Sequence, residues 1–306
     1  MSFASETKTE LCQVMPQDSC CRRAECYGML LFGRSFSENS VSLTTESSAA
    51  AHRAAQLTAE TAGVIVDIST SLWHRRERKS AFTVSVSGSG QREAVLACFG
   101  HIKTEINLRI NRANIENECC ACAFLRGVFL SCGTVSDPQK DYHLEFVVPF
   151  MNLAKDLSAF ISEIYELDLQ PGLLNRKGSY VVYVKGSEHV ADLMTFTGAG
   201  KAAMNLMQVK MLKEVRNNVN RKTNFETANI DKTALAAAEQ IVAIEKITNS
   251  AGGISILPEE LRELAMLRCR YPEMSLRELG ATLSDPLSRS GVNHRLQRIM
   301  DIAREL

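Results

Sequence analysis

The sequence predicts an α+β fold in two parts: a duplicated domain whose halves are related by a pseudo-twofold, then an all-α helix-turn-helix domain. Three observations carry this. The chain has 306 residues, about twice the usual size of one domain. A Cys-Cys pair, an apolar helix containing glycine and a β-hairpin recur at offsets of 98 to 100 residues. The last third carries helical periodicity and helix caps in place of alternating strands. The expected units are 1–110 and 111–208 for the two halves, 209–232 for a basic linker and 233–306 for the helical domain.

In the first half, Cys20-Cys21 leads through Arg22 and Arg23 into the apolar run Cys26 to Phe32, which stops at Gly33. Val41 to Thr45 alternates as a strand, and Ser48 to Ala62 is alanine-rich and helical. A hairpin runs from Val64 to Ile68, through a charged turn at His74 to Lys79, into Phe82 to Val86, and a helix from Arg92 to Glu105 closes the half. In the second half, Cys119-Cys120 leads into Ala121 to Phe129 and stops at Cys132-Gly133. A strand Tyr142 to Val148 and an amphipathic helix from about Met151 to Tyr165 follow. The hairpin turns at Asn175-Arg176-Lys177-Gly178 into Tyr180 to Val184, and Glu188 to Phe196 closes the half. A glycine in each leading helix lets two helix backbones approach closely at the joint between the halves.

From Lys210 to Lys222, five bases face the single acid Glu214, a local net charge of +4. This run reads either as a solvated helix and linker or as a segment tracking phosphates, with Arg221 and Lys222 at its end. An alanine-rich helix spans Thr233 to Ile247, and Leu257-Pro258-Glu259-Glu260 opens another that ends near Arg270. Ser275 to Glu278 forms a capping box ahead of a short helix with Leu276, Leu279 and Leu283 on one face. Ser284-Asp285-Pro286 breaks it, and a last helix from about Ser290 carries Val292, Leu296, Ile299, Met300 and Ala303 inward. Two short helices and a breaker, with a third helix packed beneath, outline a helix-turn-helix.

The outward side of the last helix holds groups that read base edges or phosphates: Ser288, Arg289, Ser290, Asn293, His294, Arg295, Gln297 and Arg298. Three arginines and no acid lie between Pro286 and Met300, whereas a merely solvated face mixes its signs. Ser275 and Arg277 join them from the preceding helix. Arg289, Asn293, Arg295 and Arg298 are the leading candidates for major-groove or flanking phosphate contacts with double-stranded DNA.

Composition is globular, with 45% hydrophobic and 23% charged residues. Basic and acidic residues both total 35, so a uniformly basic nucleic-acid coat is excluded and any basic surface is local. No apolar run reaches membrane-spanning length and Met1 to Glu10 has no signal-peptide core, so a cytoplasmic protein without membrane contact is expected, and the DNA-binding reading would associate it with the nucleoid. The ten cysteines are then expected to be reduced. Cys119-x-x-Cys122 has metal-ligand spacing that Cys20-Cys21 would complete, but packing as small hydrophobes is the preferred reading. No metal and no cofactor are expected.

Phe124 to Gly133 resembles a degenerate LAGLIDADG helix, the signature of homing endonucleases. With Ser136 to Pro138, Asp141 to Glu145, Arg176 to Tyr183, Val215 to Arg221, Glu226 to Asn229 and Ser288 to Leu296, the chain is similar over its whole length to the WhiA family. The resemblance implies a bacterial regulator of sporulation and cell division, with an endonuclease-derived domain and a C-terminal helix-turn-helix. It also implies a possible protein partner on the N-terminal domain, since relatives in sporulating actinomycetes act with a small iron–sulfur regulator.

Active LAGLIDADG enzymes need a carboxylate at the end of each such helix to hold divalent metal. Alignment on the terminal glycines puts Phe32 and Cys132 there, and a frame shifted by one in the first helix puts Gly33 there. None is a hard oxygen ligand, so a non-enzyme is expected. The six histidines show no ligand spacing, and Gly198-Ala199-Gly200-Lys201 is only part of a phosphate-loop pattern. The expected function is sequence-specific transcriptional regulation linked to cell division, chromosome organisation or sporulation. The alternatives are a nucleoid-associated architectural protein with little sequence preference and a metal-dependent endonuclease.

Overall fold

The computed structural model describes residues 2–16, 18–75, 77–102 and 107–306, with side chains outside 72–79. The chain divides into two compact units, Met1–Lys213 and Glu214–Leu306.

The first unit opens with a helix that the sequence reading passed over, α1 (Phe3–Leu11), whose Ser2 side chain accepts from the Ser5 amide. The first half continues with α2 (Ser19–Leu31), β1 (Ser35–Phe36), β2 (Val41–Thr45), α3 (Ser48–Ala62), β3 (Val66–Arg75), β4 (Glu77–Val86) and α4 (Ser89–Cys98). The second half repeats the order with α5 (Glu118–Cys132), β5 (Gly133–Val135), β6 (His143–Val148), α6 (Met151–Ser162), β7 (Gly172–Arg176), β8 (Ser179–Lys185) and α7 (Ser187–Thr197). The two sheets have the same antiparallel topology, β1-β2-β4-β3 and β5-β6-β8-β7. One core joins both halves, centred on α2 and α5.

The helix joint works as the glycines predict. A Cβ on Gly28 would lie 2.4 Å from the Phe124 carbonyl oxygen, and one on Gly127 would lie 2.2 Å from that of Glu25. These contacts are reciprocal at an offset of 99 residues, so each helix presents its glycine to the same place on the other.

Several boundaries differ from expectation. Helix α4 ends at Cys98, not at Glu105. Gly100 turns left-handed at φ +70°, and the His101 amide reaches back to the Leu96 carbonyl in a helix-ending motif. Residues 103–106 of that expected helix lie outside the described residues. The first hairpin is longer than the alternation suggested, reaching Arg75 and restarting at Glu77; Arg76, in the charged turn read at 74–79, lies outside the described residues. Gly198 ends α7 in the same left-handed way as Gly100, so Gly198 to Lys201 is a helix junction. The Glu10 carboxylate accepts from the Lys201 and Ala202 amides, filling the position a bound phosphate would take.

Residues 209–232, read as a linker, lie inside one continuous helix, α8 (Gly200–Thr248), which also absorbs the expected helix Thr233 to Ile247. The second unit adds α9 (Glu259–Arg270), α10 (Leu276–Thr282) and α11 (Arg289–Glu305). Its core collects Ile244, Ile247, Leu257, Leu261, Leu264, Leu279, Leu283, Val292, Leu296 and Ile299.

Candidate nucleic-acid interface

Helices α10 and α11 are tightly joined. Ser275 and Glu278 form the predicted capping box at the start of α10. The Leu287 amide donates to the Gly280 carbonyl at 3.0 Å, and a Cβ on Gly280 would lie 2.3 Å from the Leu287 carbonyl oxygen. From α9, one Glu263 carboxylate oxygen accepts from both the amide and the hydroxyl of Ser284, at 2.8 and 2.6 Å. These bonds hold the Glu263 carboxyl below its usual pKa range. The turn is therefore fastened at both ends. Beneath it, the buried Arg268 guanidinium donates to the Gln240 side chain and the Met274 carbonyl, linking α8, α9 and the approach to α10.

On α11, Val292, Leu296, Ile299 and Ala303 face the core. Ser290, Asn293, His294 and Gln297 step along the opposite, exposed face at helical intervals, and Arg289 stands exposed in the first turn. The Ser288 hydroxyl accepts from the Gly291 amide as N-cap and lies 2.9 Å from that of Ser290. Among the described residues, the side chains of Arg277, Arg289, Asn293 and His294 have no hydrogen-bond partner.

Arg295 and Arg298 sit differently. Arg295 donates to the Glu260 carbonyl oxygen at 3.0 Å and Arg298 to the Glu260 carboxylate at 2.8 Å, so both lie on the flank that meets α9. The count of arginines in the sequence did not show which of them an acid on a neighbouring helix holds. Gln297 lies 3.2 Å from Asp301 one turn on. On α8, Arg221 and Lys222 are exposed. Upstream, Lys210 pairs with Glu188 at 2.7 Å, and Lys213 donates to the Pro138 carbonyl and lies over the Tyr142 ring.

The ends of α2 and α5 are where a LAGLIDADG endonuclease would hold its metal ions. The reciprocal offset of 99 sets Gly33, not Phe32, opposite Cys132. Phe32 is a core side chain packed edge-on to Phe124. Burial pushes the Cys132 thiol up to about 12, leaving it neutral. A cavity at this end is lined by Cys132, Ser131, Thr45, Glu46 and Lys8. Lys8, from α1, donates to the Leu130 carbonyl at 3.2 Å and lies 5.9 Å from the Phe129 ring centroid. A neutral thiol and a glycine at the helix ends, with a lysine beside them whose pKa burial lowers, offer no hard oxygen ligand for a divalent cation. Glu46, the acid that lines this cavity, interacts with Lys8, and Asp137, beyond the end of α5, accepts from the Gln139 amide in its own turn.

Sequence reasoning also missed the polar centre of this unit. Glu25 of α2, fully buried, binds Arg53 of α3 and Arg126 of α5. Arg53 goes on to the Cys12 and Val14 carbonyls and Arg126 to the Thr197 carbonyl. The three residues are scattered through the chain, and no local pattern pairs them.

Residues 219–303 match the family model for the WhiA C-terminal HTH domain, and residues 121–216 match that for the WhiA LAGLIDADG-like domain. The "Probable cell division protein WhiA" of Alkaliphilus metalliredigens is 37% identical over 313 residues, covering 99% of this chain and 98% of that protein. The protein of that name from Thermoanaerobacter pseudethanolicus is 36% identical over 318 residues, covering 100% and 98%. The crystal structure of full-length WhiA from Thermotoga maritima superposes with a TM-score of 0.61 at 25% identity, covering 100% of this chain and 99% of that one. With both domains matched in order and relatives aligned from end to end, the chain belongs to the WhiA family.

Proposed function

We propose that this protein is a sequence-specific DNA-binding transcriptional regulator, linked to cell division, chromosome organisation or sporulation, and that its duplicated domain does not cleave DNA. The observation that carries the reading is the outward face of α11. Asn293 and Gln297 are of the type that pairs with adenine, and Arg289, with Arg277 of α10, of the type that pairs with guanine or phosphate. Ser288, Ser290 and the helix start suit a phosphate. Arg295 and Arg298 act second, because each must leave Glu260 before it can reach a base. The even charge balance leaves Arg221 and Lys222 as a local phosphate contact. It also favours a protein-binding role over a second DNA saddle for the duplicated domain. A protein of this kind works at the nucleoid.

The test is selection of genomic DNA fragments by the full chain at physiological salt, beside Asn293→Ala with Gln297→Ala. Enrichment of one motif by the wild type, lost in the double variant, supports the reading. Enrichment without a motif, or an unchanged motif in the variant, moves the weight to an architectural role.

A further inference from the structure

The duplication brings two equivalent helix beginnings together, each with a Cys-Cys pair. Cys20 and Cys21 occupy the second and third positions of α2, and Cys119 and Cys120 the same positions of α5, an offset of 99. The four sulfur atoms all lie within 4.8 Å of one another. Cys122, which the Cys-x-x-Cys spacing would have chosen, stays outside the cluster and turns its thiol to the Cys119 carbonyl of its own helix. The linear spacing therefore named the wrong fourth sulfur, because the site is made by helix crossing and not by a loop.

We propose that Cys20, Cys21, Cys119 and Cys120 form a four-thiolate zinc site that clamps the two halves of the duplicated domain at the start of their central helices. Four sulfurs without a carboxylate are a soft donor set, which suits zinc and rejects magnesium. Tetrahedral ligation at a Zn–S distance of about 2.3 Å places the sulfurs about 3.8 Å apart. The observed cluster is at most about 1 Å wider, a difference that small side-chain rotations close. A cluster of several irons holds its thiolates further apart, because its own irons and sulfides fill the middle.

The surroundings suit a thiolate set. Each sulfur sits in the first turn of a helix, where backbone amides lack helical partners and the helix dipole favours negative charge. Arg22 and Arg23 follow directly in the chain but turn to the Pro16 carbonyl and to Asn114 and the Cys98 carbonyl, so the charge that holds the thiolates would come from the ion and the helix starts. Cys21 and Cys120 are buried while Cys119 is exposed, so the ion would sit just beneath the surface with a way in. Each thiol gives up its proton to solvent on ligation, so binding strengthens as pH rises.

The site also makes sense of the architecture. The glycine crossing holds α2 and α5 at mid-helix, and the thiols hold them at their beginnings. The proposal stands apart from the DNA-binding reading, which concerns α11, and the two can fail independently.

The test uses the full chain purified under reducing conditions without chelator. One zinc per chain is expected by elemental mass spectrometry. After exchange, cobalt should give the intense visible absorption of a tetrahedral thiolate site. Cys119→Ser, exposed and so the mildest change to the fold, should abolish that absorption, and Cys122→Ser should retain it. Four results would overturn the proposal: wild-type protein without stoichiometric zinc or the cobalt signature, iron with acid-labile sulfide in its place, a disulfide among the four in reduced preparations, or loss of the signature in Cys122→Ser with retention in Cys119→Ser.

Discussion

Replacing Glu25 by Gln removes the single negative charge between two buried guanidinium groups while keeping the shape of the side chain. In the native protein the Glu25 carboxylate accepts from Arg53 at 2.6 and 3.1 Å and from Arg126 at 2.9 Å. The side chains of all three are at most 7% exposed, so water cannot take the place of the lost charge. Removing one partner of a buried pair costs about 3–5 kcal/mol, chiefly because the other charge stays buried and uncompensated. At roughly 2–4 °C per kcal/mol for a unit of this size, calorimetry should show the first unit melting roughly 6–20 °C lower. The Arg53 bonds to the Cys12 and Val14 carbonyls should loosen with it, so amides just after α1 should lose hydrogen-exchange protection first. A melting temperature within about 2 °C of wild type would refute the reasoning, since it corresponds to less than about 1 kcal/mol.

Other outcomes follow from the same geometry. Gly280→Ala drives a Cβ into the Leu287 carbonyl and should destabilise the second unit by about 1–3 kcal/mol, seen as lower exchange protection in α10 and α11. Ser275→Ala removes half of the capping box and should cost about 1 kcal/mol by the same readout. Arg221→Ala with Lys222→Ala should lower the slope of log binding constant against log salt by about 2 without changing the preferred sequence. Supercoiled plasmid should survive long incubation with the full chain and magnesium; magnesium-stimulated nicking would restore the endonuclease reading.

What could be read from the chain depended on how local its cause was. The strand Val41 to Thr45 and the helix Ser48 to Ala62 appear at the predicted residues, because alternation, alanine content and the Ser47 cap all act within one element. The glycine crossing was legible because two copies of one pattern stand 99 residues apart. Helix α1 was missed because Met1 to Glu10 reads as polar; its burial of Leu11 and Thr7 depends on the rest of the unit. The stretch from Lys210 to Lys222 looked like a linker because of its run of bases, although Met211, Val215 and Val219 recur there at helical intervals, exposed, and no glycine or proline interrupts α8 after Gly200. The faces of Arg295 and Arg298 needed Glu260, a residue more than thirty positions away, which no pattern along α11 reveals. The cysteine cluster lay between these cases: its members were visible, but its fourth sulfur was not.

If α11 reads sequence, the ratio of specific to non-specific affinity must show it. The full chain would be titrated, at physiological salt, with its selected DNA site and with a scrambled duplex of equal length. Binding to the selected site should be tighter by about a thousandfold or more, with Asn293→Ala losing about 1–3 kcal/mol on that site alone. Equal affinity for the two duplexes, with Asn293→Ala changing neither, would contradict it.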